Sequence, residues 1–197
     1  MAAIDTGAAI IVTGRVADPS LFVAPLAAAF GWASDDWDLL ARGTVVGHLL
    51  ECGAQVTGGY LADPPYVCVD DMAHLGYPIA DVDVDGAAVV TKLPGTGGRI
   101  DLVTATEQLL YEVLDPYAYL TPDVAADFTT VALCDHGGDR VSVTGATGAA
   151  RPGELKVSVG YRSGWLCEAE ISYAGATSAE RARLAGAIVL ERLAGAG

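Results

Sequence analysis

The chain has 197 residues, 52% of them apolar, and 25 acidic against 11 basic side chains give it a formal charge of −14. That length suits one domain, or one domain with a small appendage, around a real core. The charge disfavours nucleic acid and acidic membrane surfaces as partners.

The longest apolar stretch, residues 23–33 (VAPLAAAFGWA), is too short and too broken by Pro25 and Gly31 to span a bilayer. No basic region precedes an apolar one near the start, so a secretory leader is not expected and the reading is a cytoplasmic protein. Cys52, Cys68, Cys134 and Cys167 lie far apart with no C-x-x-C, which points to free thiols. No metal site and no cofactor is expected.

In chain order, residues 8–12 (AAIIV) form a short unalternated apolar run ending at Thr13-Gly14-Arg15. That pattern predicts a strand buried on both faces, of parallel-sheet type. A helix is predicted from Ser20, its length limited by Pro25. Ser34-Asp35-Asp36 signals a second helix starting near Trp37, with Gly43 as its expected break. Residues 79–92 (IADVDVDGAAVVTK) alternate on both sides of Asp85-Gly86. That predicts a hairpin with a type I′ turn. Thr104 and Glu107 read as a capping box for a helix running to about Leu114. From Phe128, FTTVALCD, RVSVTGA, LKVSVGY and WLCEAEISY read as an antiparallel meander. Thr177 and Glu180 cap a last helix, with Leu184, Ile188 and Val189 on one side and Gly195 as its stop. The class is α/β passing into α+β, with an α/β part over 1–127 and antiparallel strands plus a terminal helix over 128–197, packed as one unit.

Chemistry concentrates in residues 43–59 (GTVVGHLLECGAQVTGG). On a helix, Thr44, His48, Glu51, Cys52 and Gln55 fall near one face. A histidine beside a carboxylate is held in one tautomer and suits acid–base work. Cys52 beside it is a candidate activated thiol. The same stripe also fits a partly buried helix whose polar groups are satisfied by packing. In residues 91–99 (TKLPGTGGR), Gly95, Gly97 and Gly98 between Lys92 and Arg99 could form a backbone nest for a carboxylate or phosphate, or an ordinary glycine-rich connection. The spacing is neither a Walker A loop nor G-x-G-x-x-G. Arg15 and Asp18 follow the first apolar run, where ligands bind in α/β sheets. Glu107-Gln108 and Tyr119-Leu-Thr-Pro-Asp123 are equally well explained by capping and turn chemistry.

Taken together, IVTGRVADPSL, DDWDLLARGTVVGHLLECGAQVTGGY, LGYPIADVDVDGAAVVTKLPGTGGRIDL and TEQLLYEVLDPYAYLTPDVAADF resemble the acyclic terpene utilization family, AtuA type. The resemblance runs in order along nearly the whole chain. It implies a role in bacterial catabolism of acyclic terpenes through branched acyl-CoA intermediates. The reaction so implied is a lyase- or hydratase-like step on a branched 3-hydroxyacyl-CoA. Within the matching motifs His48, Glu51 and Cys52 become the catalytic candidates. Arg15, Asp18, Gln55, Lys92, Gly95, Gly97, Gly98 and Arg99 become the substrate- or anion-binding candidates. The chain matches the middle of such proteins, which implies a truncated or split member. A homo-oligomer is then expected, or a partner chain that supplies an N-terminal region. The alternative is a non-catalytic subunit or assembly module.

Overall fold

The computed structural model describes residues 2–196. The regular elements are α1 (Ser20–Phe30), α2 (Trp37–Glu51), β1 (Pro78–Val82), β2 (Ala88–Lys92), α3 (Leu102–Leu110), β3 (Tyr119–Leu120), β4 (Val124–Asp127), β5 (Ala132–Asp135), β6 (Val141–Thr144), β7 (Thr147–Ala150) and α4 (Ser178–Ala196). The class is the expected one: mixed helix and strand, antiparallel sheets, and a C-terminal helix. The chain divides into two compact units, Met1–Lys156 and Val157–Gly197. The division falls later than the boundary expected at 127/128. The cause is pairing: β6 bonds to β2 and β7 bonds to β4, which ties residues 128–150 to the earlier strands.

In the first unit, one antiparallel sheet has the order β1-β2-β6-β5 and a second the order β3-β4-β7. Helix α2 packs on α1, α3, β4 and β7 and is buried on nearly every side, from Leu40 and Ala41 through Leu49. A helix covered all round must be apolar or small all round. Its two glycines meet that need. A Cβ on Gly43 would lie 2.9 Å from the Trp32 ring, and one on Gly47 would lie 2.7 Å from the Pro19 carbonyl oxygen. Gly43 therefore does not break the helix as expected, because close packing outweighs the roughly 1 kcal/mol that glycine costs in a helix interior. Asp36 caps α2 as the sequence suggested, its carboxylate accepting from the Leu39 N–H.

Other local expectations shift. Pro25 does not stop α1, which runs on to Phe30 and ends on Gly31 in the left-handed region at φ 68°. The Asp85-Gly86 hairpin forms with the register Val82↔Ala88, but positive φ occurs at Gly86 and not at Asp85. Asp83 accepts from Gly86 N–H and donates to the Ala87 carbonyl, so the loop has three residues with Gly86 as the bulge instead of a type I′ turn. In α3 the cap is Asp101, and Thr104 is the N3 partner of that capping box. The helix ends at Leu110, short of Leu114.

The buried first strand is not formed. Residues 8–12 carry no strand, and Ile10 and Val12 are 82% and 90% exposed. An apolar run becomes a strand only with a ladder partner. Among the described residues the sole bond from this run is Ala8 N–H to the Thr6 hydroxyl. Residues 155–161 and 165–173, expected as strands, likewise have no regular structure.

The second unit, described alone, is this irregular segment followed by α4, which continues through Gly195 to Ala196. The Arg181 guanidinium lies 5.0 Å from the centre of the Tyr173 ring. Leu184, Ile188 and Val189 do share one side, and with Ile171 and Tyr173 they line a shallow hollow. No described helix is long and apolar enough to cross a membrane.

Candidate functional site

His48 sits in the last turns of α2, 1% exposed. Its Nδ1 is 3.0 Å from Glu51 Oε1, three residues on, where the helix brings i and i+3 together. In the neutral imidazole, an Nδ1–H that donates to the Glu51 carboxylate leaves the lone pair on Nε2. Nε2 has no hydrogen-bond partner among the described residues. The ring is clamped by aromatic neighbours: Tyr119 at 5.3 Å and Phe128 at 5.7 Å between centroids, with Tyr119 and Phe128 stacked at 4.9 Å. An imidazole fixed in one tautomer, with its free nitrogen in an aromatic surround, has the makings of a general base.

Two distant segments complete the site. Gln108 on α3, fully buried, donates from Nε2 to the His48 carbonyl at 2.8 Å. Tyr119, from β3, is half-buried, and burial pushes its phenol up to about 12, helped by the carboxylates of Glu51, Asp18 and Glu112. The phenol is thus a proton donor across the neutral range. Because the folded value lies above the ordinary 10, Tyr119 contributes stability that is fully present below pH 10 and lost as pH rises from 10 to about 12. Absorbance titration of the chain against Tyr119→Phe is expected to remove a phenol ionising near 12.

Cys52 follows Glu51 and is part-buried. Burial pushes its thiol up, and Glu51, Glu112 and Asp18 push the same way against the Gln108 side chain. The shift favours the thiol over the thiolate. Gln55 lies in the short turn Gly53–Gln55, and its amide Nε2 is buried without a partner among the described residues. Buried groups of this kind are uncommon, and His48 Nε2, Glu51 Oε2, Gln55 Nε2 and Gln108 Oε1 belong to one stretch of α2, its continuation and α3.

The remaining candidates lie apart. Arg15 is exposed and makes no ion pair among the described residues. Lys92 is buried, its ammonium donating to the Thr96 carbonyl at 2.8 Å and pairing with Asp139 at 3.2 Å. The Gly97 and Gly98 N–H groups donate to the His74 and Asp70 carbonyls, and Arg99 N–H donates to Thr57. Arg99's side chain holds Asp101 and the Cys68 carbonyl. Gly95 turns the loop at φ 80°. These donors fasten the loop to its neighbours, so the site is built here without it.

Sequence reasoning singled out His48 and Glu51 but gave Gln108 and Tyr119 to capping and turns. The signal that marked them was their place inside the TEQLLYEVLDPYAYLTPD motif. The chain matches, over residues 1–197, the family model described as acyclic terpene utilisation family protein AtuA. No curated protein and no solved structure matches it.

Proposed function

The chain belongs to the acyclic terpene utilisation family, AtuA type, and from that premise we propose that it performs a lyase- or hydratase-like step on a branched 3-hydroxyacyl-CoA. The observation that carries the reading is His48, buried, with Nδ1 fastened to Glu51 and Nε2 unpartnered. In this role Nε2 removes the proton α to the thioester carbonyl, and Glu51 stabilises the imidazolium that results. The enolate-like oxygen needs preorganised donors. The Tyr119 phenol, on a ring 5.3 Å from the imidazole, is one candidate donor, and the unpartnered Gln55 amide in the turn after α2 is a second. Tyr119, protonated at neutral pH, is also suited to give a proton to the departing β-hydroxyl. Elimination of water then leaves the branched enoyl thioester, and the reverse path hydrates it.

The test is turnover of a branched 3-hydroxyacyl-CoA by the full chain and its loss on His48→Gln. A second reading, a non-catalytic assembly subunit, is favoured by one observation: no described residue of α4 is buried, and Leu184, Ile188, Leu190 and Leu193 are each more than half exposed. It expects a chain that folds cooperatively and leaves the thioester unchanged.

A further inference from the structure

A cavity of about 360 Å³ lies at the start of α2, among α1, the connection from α1 to α2, the turn before β4 and the residue after β7. Its inner wall is apolar and buried, built from Val23 and Ala27 of α1, Trp32 of the connection and Leu40 of α2. Its rim meets solvent through the exposed Asp35 and Arg151. Trp32 is a fixed part of the wall. Its indole N–H donates to the Val84 carbonyl at 2.9 Å, its ring stacks with Phe30 at 5.7 Å between centroids, and Gly43 packs against its six-membered ring. With that N–H committed, the indole offers the cavity apolar surface. Polar contacts fall to two side chains from separate segments. Asp123 accepts from the Ser20 hydroxyl through Oδ2 at 2.8 Å, and only that oxygen is so engaged among the described residues. Arg151 makes no ion pair among them, so it and Asp123 line one cavity without pairing with each other. An apolar cavity of this size with a few placed polar groups is the usual form of a small-molecule site. His48 lies about two turns beyond Leu40, roughly 12 Å further along α2 at 1.5 Å per residue, so the two sites are distinct.

We infer that this cavity binds a small apolar alcohol, its hydrocarbon body on the Val23, Ala27, Trp32 and Leu40 wall and its hydroxyl between Asp123 and Arg151. The site stands apart from the reaction proposed above and does not depend on it. A hydroxyl both donates and accepts, so it serves the carboxylate and the guanidinium at once. A carboxylate head gains Arg151 but faces Asp123 and Asp35, and an ammonium head gains the two acids but faces Arg151. Either ion also gives up water on entering an apolar space, a cost that the neutral head largely escapes. The fixed indole adds to the selection, since a wall already in place loses little freedom when a ligand settles on it.

Tryptophan emission reads the site directly, because Trp37 lines the cavity together with Trp32. The full chain carrying Trp165→Phe, which leaves those two as its indoles, is titrated with octan-1-ol, octanoate and octylammonium. Octan-1-ol is expected to give a saturable change, with both ions binding at least about tenfold more weakly. Arg151→Gln is expected to strengthen octylammonium and Asp123→Asn to strengthen octanoate, each narrowing the gap to the alcohol. The asparagine amide oxygen still accepts from Ser20, so that variant keeps the tie to α1. Ala24→Phe, which fills the cavity from α1, is expected to abolish the response to octan-1-ol. The two rim variants keep the test decisive should Ala24→Phe lose its fold. An absent or unsaturable response to octan-1-ol would overturn the assignment. So would a response that a folded Ala24→Phe chain retains, or either ion binding the parent site as tightly as the alcohol.

Discussion

Replacing His48 by glutamine lowers turnover of a branched 3-hydroxyacyl-CoA by about 10²–10⁴-fold, the usual contribution of a positioned general base. Glutamine keeps a polar side chain in a site where the imidazole is 1% exposed, and it has no nitrogen that takes a proton at neutral pH. Glu51→Gln is expected to lose less, since the base remains and only its tautomer and its positive charge after proton transfer go unsupported. Both variants should melt close to the parent chain, which separates lost chemistry from lost fold. Should His48→Gln retain full turnover, the assignment of the base is wrong.

Leu49→Ala, next to the histidine, is expected to be the most damaging change to the fold. Leu49 is fully buried within a cluster that also holds Val45, Val90, Val124, Val141 and Phe128. Removing its isobutyl group costs transfer energy and leaves a cavity, together about 2–5 kcal/mol. For a chain of this size that lowers Tm by about 4–20 °C. Leu50→Ala, one position on and only part-buried, should cost distinctly less. Thermal melts of the two variants side by side check the direction in which α2 faces. Equal losses would mean that α2 is rotated from the orientation described.

Local chemistry was well written in the sequence. Asp36 as a helix cap, the Asp85-Gly86 hairpin and the His48–Glu51 spacing each depend on residues a turn or a hairpin apart, and each is found. The family, too, is readable from the motifs in order. What was not legible depends on partners far along the chain. Glycine signals a break until Trp32 and Pro19 are known to lie against Gly43 and Gly47. The run AAIIV signals burial but cannot say whether a strand stands ready to pair with it. Gln108 reaches back sixty positions to the His48 carbonyl, a contact no window of sequence contains. The pairing of Lys92 with Asp139, which lies between β5 and β6, is a contact of the same long-range kind.

The most direct measurement follows the proton that His48 is said to take. A branched 3-hydroxyacyl-CoA is incubated with the full chain in heavy water, and deuterium at the α-carbon is followed by NMR. The proposed base predicts incorporation with the parent chain and almost none with His48→Gln. Exchange that persists undiminished in His48→Gln, or that never rises above buffer in the parent chain, would contradict it.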